Sequence, residues 1–386
     1  EGSSRVAIIR GADFPSVAQG SYGGLPVRYE KDSKVNSVAL RAGDIVLENS
    51  GGTDSRPTGR TVFVTNELID AYDCPVIPAS FCRLLRFDNR ANSEFVYYWL
   101  QEMYSAGRTW GYQNRSTGLS NFQYKVFADS ELLPDLPIEV QSKIASVLSA
   151  FEKKIRENNR QNDYLEELGQ TLLGEFMSSC SDVVSLGDIM NFGNGFAFKS
   201  DSYTDSGSYK VLTIKNVQDG SVDCSSSNRV DDLPPKMKDY CELKVGDVVL
   251  SLTGNVGRVG IVAEENCLLN QRVAVLQPFN DEILPGLYFF FRQKSFQSEM
   301  IGIAKGTAQA NLSPIEALRL EMPYDENGFN ELCKTLAPVF SSILANRIEC
   351  LRLAELRDSL LPKLMSGEID VLKANFTQQN NKRETY

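Results

Sequence analysis

Apolar side chains recur at heptad spacing in two long stretches of the sequence. In each stretch the positions alternate steps of four and three residues, the spacing of a coiled-coil seam. In the first stretch the seam positions include Ile144, Leu148, Phe151, Ile155, Asn158, Asn162, Leu165 and Leu172. In the second they include Leu336, Ile343, Asn346, Leu353 and Leu360. The pattern predicts two long helices, and a helix of about 40 residues would span roughly 60 Å.

Polar residues near the middle of both seams bear on how the helices pair. An antiparallel pair would bring Asn162 close to Asn346, and such a polar layer fixes register at some cost in stability. This pairing would also place the segments that precede each helix at opposite ends of the pair. Two ordinary amphipathic helices packed on separate domains are the alternative interpretation.

Three prolines bear on the ends and the continuity of these helices. Pro137 stands where the first helix can begin, since proline is favoured in a first helical turn. Pro338 is expected to kink the second helix or to delay its regular part. Pro362 is expected to act in the same way near the end of that helix.

The two stretches are copies of each other. Residues 164–177 (YLEELGQTLLGEFM) and residues 352–365 (RLAELRDSLLPKLM) share several Leu, Glu and Met positions at an offset of 188. Upstream, Leu40–Leu47 (LRAGDIVL) resembles Leu243–Leu250 (LKVGDVVL), and Arg5–Phe14 matches Lys210–Val217 more loosely. The order is the same each time, a mixed β-rich block and then a long helix. The sequence therefore predicts a tandem duplication.

Turn residues and β-branched runs predict short strands within each block. Val259–Val262 and Arg272–Leu276 are further strand candidates, whereas Glu94–Tyr104 and Pro285–Met300 are expected to be short aromatic-rich helices whose rings lie in the core. The stretch Phe192–Phe196 (FGNGF) resembles a cofactor-binding glycine loop. We interpret it as a turn, because no adequate buried strand precedes it and no helix follows.

These elements predict an α+β fold in which two mixed α/β domains are separated by two long helices that form an antiparallel coiled coil. The expected boundaries are 1–133 for the first mixed domain, 134–180 for the central helix, 181–324 for the second mixed domain, 325–372 for the C-terminal helix and 373–386 for a polar tail.

Composition narrows the chemistry that this chain can perform. Among 386 residues there is no histidine, which removes the commonest general base and metal ligand and excludes a Ser-His-Asp or Cys-His mechanism. The sequence contains no phosphate-binding loop of the form G-x-x-x-x-G-K-[ST]. It also lacks the Asn/Asp-Pro-Pro-aromatic tetrad of amino-methyltransferases. We therefore expect no catalytic, cofactor-binding or metal-binding residues in this chain.

Cysteine spacing and hydropathy predict the compartment. The eight cysteines form no C-x-x-C pair, which disfavours zinc or a disulfide framework and fits a reducing environment. No apolar run reaches eighteen residues, and the first ten residues lack the pattern of a secretory signal. We expect a cytoplasmic protein with no membrane partner.

Polar loops after the predicted strands suit DNA contact, because Arg and Lys can bind guanine, Asn and Gln can bind adenine, and small residues let the backbone approach phosphates. The net charge of −10 predicts weak non-specific binding by the chain alone. For any single residue, a solvated loop position is an equally good interpretation. The candidate DNA contacts are Arg10, Thr53, Arg56, Arg60, Gln113, Arg115, Thr117, Lys215, Asn216, Thr253, Asn255, Arg258, Gln271, Arg272, Lys305, Thr307 and Gln309.

Several segments resemble one known family. Leu356–Asp370 (LRDSLLPKLMSGEID) and Leu133–Asn159 resemble the conserved helical regions of type I restriction-modification specificity subunits. The blocks around LRAGDIVL and LKVGDVVLSLTGNVGRVGIV resemble the target-recognition domains of that family. The resemblance covers essentially the whole chain, although the first block lacks an opening stretch like Val184–Asp201, and Val140 stands where an acidic residue is common.

The resemblance implies a subunit with no active site of its own. Each recognition domain would read one half of a split double-stranded DNA target, and the helices would set the unread spacer. Two methyltransferase subunits would dock on the helices and supply S-adenosylmethionine and adenine methylation. Restriction subunits with ATP-driven translocation could join the complex.

One competing hypothesis is a scaffold whose recognition domains no longer bind DNA and only assemble partners. The distribution of basic side chains separates the two hypotheses. If Arg56, Arg60, Arg115, Lys215, Arg258 and Lys305 line one concave face, DNA reading is favoured, and if they scatter, scaffolding is favoured. An independent enzyme is disfavoured by the missing histidine and cofactor motifs.

Overall fold

A computed structural model of the chain describes residues 2–88, 91–114, 120–306 and 310–373. The chain divides into two compact units. The first unit contains the residues up to Glu157 together with those from Leu351 onward, and the second is Asn158–Cys350. Each unit has its own hydrophobic core, and the mixture of strands and helices predicted from the sequence is present in both.

Short strands and helices make up the first unit before its long helix. Its strands are β1 (Ser3–Ile9), β2 (Val27–Lys31), β3 (Ile45–Glu48), β4 (Ser50–Gly52), β5 (Thr61–Phe63), β6 (Val76–Pro78), β7 (Cys82–Leu85), β8 (Gln113–Asn114) and β9 (Ser120–Phe122). Its helices are α1 (Phe14–Ala18), α2 (Asp32–Val38), α3 (Asn66–Asp70), α4 (Ser93–Ser105) and α5 (Tyr124–Ser130), followed by α6 (Ile138–Ser179), whose later part belongs to the second unit.

The second unit repeats this plan with additional strands. Its strands are β10 (Val183–Ser185), β11 (Met190–Asn194), β12 (Tyr209–Leu212), β13 (Gly220–Ser221), β14 (Asn228–Val230), β15 (Glu242–Leu243), β16 (Val248–Ser251), β17 (Val259–Ile261), β18 (Cys267–Leu269), β19 (Val273–Pro278) and β20 (Glu321–Pro323). Its helices are α7 (Leu186–Ile189), α8 (Leu284–Phe291), α9 (Lys294–Ile303), α10 (Pro314–Ala317) and α11 (Glu326–Met365), whose later part belongs to the first unit.

The sheets show that the duplication extends to topology. In the first unit β1 pairs antiparallel with β2 and parallel with β6, and in the second β12 pairs in the same two senses with β14 and β18. Likewise β3 lies between β5 and β7, as β16 lies between β17 and β19. The match of Arg5–Phe14 to Lys210–Val217 is therefore confirmed at the level of the strands.

One sequence interpretation is wrong in the second unit. The stretch from Phe192 to Asn194, interpreted as a turn, belongs to β11, which pairs antiparallel with β19. Phe192 and Gly193 are both buried in this strand, and Gly193 lies so close to Val275 and Tyr240 that a Cβ would clash with both. Glycine here permits close packing across the sheet and does not mark a turn.

The aromatic-rich segments are core helices, as predicted. Tyr98 in α4 and Phe289 in α8 are fully buried, and each packs in the largest cluster of its unit. The predicted helix over Pro285–Met300 is divided, because α8 ends at Phe291 and α9 begins at Lys294. The break lets Phe290 and Phe296 approach to 4.3 Å between ring centroids, which one straight helix would not allow at this spacing.

The long helices begin at equivalent positions, Ile138 and Glu326, and contain 42 and 40 residues. Pro137 immediately precedes the first, as predicted. The second is unbroken through Pro338 and Pro362, so these prolines do not delay it. The Ser342 hydroxyl donates a hydrogen bond to the Pro338 carbonyl at 2.8 Å, one turn back along the helix. Val339 and Phe340, which follow the proline, are buried in the core.

In the second unit the two long helices touch through amides. Asn346 donates from Nδ2 to Oδ1 of Asn162 at 2.9 Å, and Asn158 donates to Glu349 at 2.7 Å. From the first contact to the second the residue number rises on α6, from 158 to 162, and falls on α11, from 349 to 346, so the helices run in opposite directions here. The expected neighbour of Asn162 in an antiparallel pair is thus in contact with it.

Within the first unit the same helices touch through apolar residues and an ion pair. Ile144 and Leu148 share a buried cluster with Leu361 and Leu364, and Arg357 lies 3.7 Å from Glu152. The running directions are again opposite. Of the predicted seam residues, Ile144, Leu148, Asn158, Asn162, Leu336 and Ile343 are buried, and Phe151, Ile155, Leu165, Leu172, Asn346, Leu353 and Leu360 are half-buried.

Candidate nucleic-acid interface

Three polar loops of the second unit contact one another. The turn 213–218 touches the loop between β16 and β17 through Arg258, whose Nη1 donates to Oε1 of Gln218 at 3.3 Å. That loop touches the segment after α9 through Thr253, whose hydroxyl donates to Oδ1 of Asn311 at 2.6 Å. Lys305 and Asn311 exchange backbone hydrogen bonds of 3.0 and 2.9 Å. The sequence-predicted Lys215, Arg258 and Lys305 therefore belong to contiguous loops.

The loop 253–258 owes its shape to two glycines. Gly254 and Gly257 have φ of 73° and 83°, a region that other L-residues rarely adopt. Between them Asn255 is exposed, whereas Thr253 is buried and anchors the base of the loop. Thr253, a predicted DNA contact, thus holds the loop in place and does not present a free hydroxyl.

Asn216 is a second predicted contact that serves the fold. Its side chain is 2% exposed; Oδ1 accepts from the backbone N and the hydroxyl of Thr213, and Nδ2 donates to the Asp223 carbonyl and the Ser227 hydroxyl. Both ends of the amide are satisfied, so Asn216 is unsuited to read a base without unfolding the turn. Its neighbour Lys215 is exposed.

The remaining predicted contacts of the second unit lie on its surface. Gln271 and Arg272 are exposed in the turn between β18 and β19, and the Arg272 carbonyl accepts from the backbone N of Leu252, next to the loop 253–258. Lys305 is 78% exposed and ion-paired with Glu316. Sequence reasoning missed Asp219, which is 68% exposed beside this surface and ion-paired with Arg292 at 3.0 Å.

In the first unit two predicted arginines are held by one buried carboxylate. Glu48, whose side chain is 3% exposed, accepts from Arg56 at 2.9 Å and from Arg60 at 2.8 Å, and a second oxygen is ion-paired with Arg60 at 2.6 Å. Burial disfavours the charged carboxylate, but the hydrogen bonds and charges of both arginines outweigh it and hold the pKa of Glu48 below its ordinary value. Arg60 also donates to the Gly11 carbonyl at 2.7 Å.

Arg56 and Arg60 are therefore not free to bind a DNA phosphate. Their fork-shaped donors are largely occupied by Glu48 and by backbone carbonyls of Gly11 and Gly51. The hydrogen bond to Glu48 raises the pKa of Arg60 further. The sequence offered no sign of this, because an acidic residue at the end of a strand is usually exposed.

Gln113 is also internal to the fold. Its Oε1 accepts from the backbone N and hydroxyl of Thr58 and from the Ser120 hydroxyl, and its Nε2 donates to the carbonyls of Thr58 and Thr109. As with Asn216, an amide predicted to read a base instead ties neighbouring segments together.

One exposed candidate of the first unit, Arg10, lines a cleft of about 570 Å³. Arg10 lies on its rim and is ion-paired with Asp13 at 2.8 Å, while Thr53 is exposed in the adjacent β4–β5 loop. The cleft is also lined by Arg28 and Lys34, two cations that sequence reasoning missed. The alternation of side chains along β2 and the position of Lys34 near the start of α2 could have indicated that Arg28 and Lys34 lie on one side of the unit.

Four predicted contacts, Arg115, Thr117, Thr307 and Gln309, lie outside the described residues. The distribution of basic side chains that separates DNA reading from scaffolding is therefore judged on the other five residues of that set. Among the other members of that set, Arg56 and Arg60 adjoin one cleft of the first unit, and Lys215, Arg258 and Lys305 lie on adjoining loops of the second.

All eight cysteines are free thiols, and no group of three or more His, Cys, Asp or Glu side chains in the described ranges could hold a metal ion. The search for membrane-crossing helices, confined to the same ranges, found none of sufficient length and apolarity. Burial raises the pKa of the Cys82 thiol beside Glu48 to about 11, so this cysteine is an inert wall of the first-unit cleft at neutral pH.

Comparison with known proteins identifies relatives of one kind. The family model of the type I restriction modification DNA specificity domain matches residues 179–349. The MjaVIII specificity subunit of a type I restriction enzyme from Methanocaldococcus jannaschii is 24% identical over 297 residues, 68% of this chain and 68% of that protein. The MjaIX specificity subunit of the same organism is 26% identical over 263 residues, 60% of this chain and 59% of that protein.

A solved structure shares the fold. The S subunit of a type I restriction-modification system from M. genitalium matches with a TM-score of 0.52 at 17% sequence identity, covering 93% of this chain and 88% of that one. The family resemblance predicted from the helical and strand segments is thereby confirmed. The relatives are named as specificity subunits, a targeting role that agrees with the prediction that this chain is not itself an enzyme.

Proposed function

Because the chain belongs to the family of type I restriction-modification specificity subunits, we propose that it reads a bipartite double-stranded DNA target and positions two adenine methyltransferase subunits there. The observation that carries this proposal is the duplicated architecture: two blocks with the same strand pairing each present polar loops after equivalent strands. A duplicated reader suits a target with two separate half-sites.

The two long helices are the spacer in this proposal. The amide contacts of Asn162 with Asn346, and the separate contact of Glu152 with Arg357, support an antiparallel coiled coil in which each helix follows one recognition domain. The domain boundaries in this proposal are those expected from the sequence. S-adenosylmethionine, and ATP if a restriction subunit joins, would be bound by the partner subunits.

A methylation map tests the proposal. The chain would be expressed with its methyltransferase subunit in a host lacking adenine methylation, and modified bases would then be identified by sequencing. We expect a split motif that appears only when both proteins are present. A stable complex that modifies no motif would contradict DNA reading.

One observation favours a scaffold role for the first recognition domain in particular. Arg56 and Arg60 are engaged by Glu48, and Gln113 is engaged by backbone, so three predicted readers are occupied. The same methylation map distinguishes the cases. A motif with specified bases in only one half would assign reading to one domain and assembly to the other.

The length of the central helix should set the spacer of the target. Inserting four residues into the segment 138–178 lengthens a straight helix by about 6 Å and adds about one turn, roughly two base-pair steps. We expect the modified motif to keep its half-sites and change its spacer. A modified motif with an unaltered spacer would show that the helices do not measure the distance.

A further inference from the structure

Two buried thiols of the second unit lie in contact with each other. The Sγ atoms of Cys224 and Cys267 are 3.7 Å apart, although 43 residues separate the two cysteines along the chain. Cys224 ends the loop 213–224, which begins with the polar turn 213–218, and Cys267 is the first residue of β18. Both lie in one buried apolar cluster. The cysteine spacing did not indicate this pair, because only the fold brings the two segments together.

The first unit shows that packing at this place does not require sulfur. Strand β18 pairs parallel with β12 where Cys267 lies opposite Lys210. At the equivalent position of the first unit, β6 pairs parallel with β1, and Val76 lies opposite Ala7. Val76 is buried, as Cys267 is. A valine therefore fills this position in one copy of the fold, so packing alone does not explain the thiol in the other.

Polar groups beside the pair favour a thiolate on one of the two sulfurs. The hydrogen bond from Cys224 and the positive charge of Lys210 outweigh burial and hold the pKa of Cys267 below its ordinary value. The same hydrogen bond, together with burial, raises the pKa of Cys224. An ion pair of 2.6 Å with Glu264 holds the Lys210 side chain. Cys267 is therefore the nucleophile of the pair, and Cys224 is the proton donor.

Two other buried thiols of this unit contact backbone carbonyls. Cys241 lies in the same apolar cluster, and its thiol donates to the Asn194 carbonyl at 3.6 Å. The thiol of Cys333 donates to the Ile283 carbonyl at 3.8 Å. Burial raises the pKa of both thiols, that of Cys333 to about 12. Both stay protonated at neutral pH and are internal comparisons for the contacting pair.

We propose that Cys224 and Cys267 form a site of reversible oxidation, at which hydrogen peroxide converts the two thiols into a disulfide and thereby shifts the polar turn 213–218. The Cys267 thiolate attacks one oxygen of peroxide, the O–O bond breaks, hydroxide leaves, and a sulfenic acid forms. The Cys224 sulfur then attacks the sulfur of Cys267, the S–S bond forms, and the hydroxyl leaves with the Cys224 proton as water. The two sulfurs are oxidised and peroxide is reduced. A small dithiol reverses the reaction by thiol–disulfide exchange.

Burial makes this oxidation slow and selects a small oxidant. Cys267 is fully buried, and Cys224 is 6% exposed at the end of the loop 213–224. Hydrogen peroxide is close to water in size, so it reaches the pair when the loop opens locally. A bulky disulfide oxidant would need a wider opening. Peroxide is therefore the oxidant that suits this site.

Closing the bond moves the loop more than the strand. Cys267 is held on both sides, since β18 pairs with β12 on one edge and with β15 on the other. The sulfurs must approach from 3.7 Å to about 2.05 Å, the length of a disulfide bond. The displacement therefore falls on Cys224. It passes to the turn 213–218 through Asn216, whose Nδ2 and backbone carbonyl are both hydrogen-bonded to the backbone of Asp223 at 2.8 Å.

This turn carries polar groups of the candidate nucleic-acid interface. Lys215 is exposed on it, and Gln218 accepts the hydrogen bond from Arg258 at 3.3 Å. A shift of the turn repositions these groups relative to the loop 253–258. We expect oxidation to weaken binding through the second half-site by about five- to tenfold, the size of one lost contact, and to leave the first half-site unchanged. The effect on DNA rests on the proposed function, whereas the disulfide does not.

Mass spectrometry of the full chain tests the disulfide. The folded chain would be treated with hydrogen peroxide, then unfolded and alkylated with N-ethylmaleimide so that each remaining thiol is counted. We expect two fewer alkylated cysteines than the eight of the reduced chain, a peptide pair linked through Cys224 and Cys267, and full recovery after dithiothreitol. Both sulfurs alkylated after treatment, or a sulfinic acid in place of the link, would overturn the site.

Serine variants show whether the link is specific. Cys224→Ser and Cys267→Ser should each abolish the linked peptide pair. Cys241→Ser is the matched control and should keep it, because Cys241 is buried in the same cluster. Thermal melting of the reduced variants checks that they fold. If Cys267→Ser melts well below the wild type, Cys267→Val replaces it, since valine fills the equivalent position of the first unit.

DNA binding separates the oxidation from recognition. Complexes with the methyltransferase subunit would be measured on targets altered in one half-site at a time, before and after peroxide, with Cys267→Val as the oxidation-resistant comparison. A loss through the second half-site that dithiothreitol restores supports the proposal. A linked chain that binds both half-sites as before would overturn the effect on the turn. A chain that forms the link but binds no DNA when reduced would overturn the proposed function and leave the oxidation site in place.

Discussion

The ends of β3 and β16 are equivalent positions in two copies of one fold, yet the arginine beside each end makes different contacts. The backbone N of Glu48 donates to the Arg60 carbonyl at 2.8 Å, and the backbone N of Ser251 donates to the Arg258 carbonyl at 2.9 Å. In the first unit the buried carboxylate ties Arg60 down, whereas in the second the small Ser251 leaves Arg258 with a single hydrogen bond of 3.3 Å to the Gln218 side chain among the described contacts.

This difference teaches that an arginine in a polar loop is a candidate reader only if no internal carboxylate reaches it. Arg258 keeps most of its donors for a ligand, so under the proposed function the second unit is the better equipped of the two to contact DNA. Under the proposed function the first unit would rely on other cations at its cleft, such as Arg28.

The largest expected effect comes from removing the buried carboxylate. Glu48→Gln should destabilise the first unit by about 3 kcal/mol, because two partly buried arginines lose their counter-charge. Denaturant unfolding monitored by circular dichroism would measure the loss. Glu30→Gln is the matched control, since Glu30 forms a more exposed pair with Lys34 and should cost less than about 1 kcal/mol. Equal effects for the two variants would break the comparison.

Charge reversal in the second unit should act on DNA and not on folding. Arg258→Glu combined with Lys305→Glu should weaken targeting through the second half-site by about tenfold to a hundredfold, with thermal stability nearly unchanged. Binding to targets altered in one half-site at a time would measure this. An equal loss of binding at both half-sites would contradict modular reading. Arg60→Ala in the first unit is the comparison variant, and it should mainly lower the stability of that unit.

The helix contacts offer a second comparison between the units. Asn162→Leu should destabilise the second unit by about 1 to 2 kcal/mol, because the half-buried Asn346 amide loses its acceptor. The double variant with Asn346→Leu should recover that loss, since an apolar layer replaces the amide pair. Unfolding curves of the single and double variants would show whether the loss is coupled. A double variant less stable than the single would argue against a paired amide layer.

The smallest effect should be a pH dependence of the first unit. The pKa of Glu48 lies below its ordinary value of 4.5 in the folded protein. Its contribution is therefore fully present above the unfolded value and is lost as pH falls through the folded value. The stability gap between wild type and Glu48→Gln should stay constant above about pH 5 and narrow below pH 4.5. A gap that persists at pH 2 would show that Glu48 acts by shape and not by charge.

Much of the fold could be predicted because it depends on local periodicity and on the repeat. Heptad spacing predicted α6 and α11, and the duplicated glycine turns predicted the positions of β3 and β16. The site was predicted only as a set of loops. Residue type suggested that Asn216, Gln113 and Thr253 read DNA. In the fold, however, Asn216 and Gln113 donate to backbone carbonyls, and Thr253 donates to the side chain of Asn311.

The sequence by itself determined that this chain has two copies of one plan, two long helices and no histidine-based chemistry, because these follow from order, period and composition. Only the tertiary structure decided which polar side chains are available. Whether Arg60 meets Glu48, or Gln113 meets Thr58, depends on segments that are distant in sequence and adjacent in space. A buried carboxylate or amide must satisfy its hydrogen bonds internally, and the residues that satisfy it are thereby withdrawn from binding.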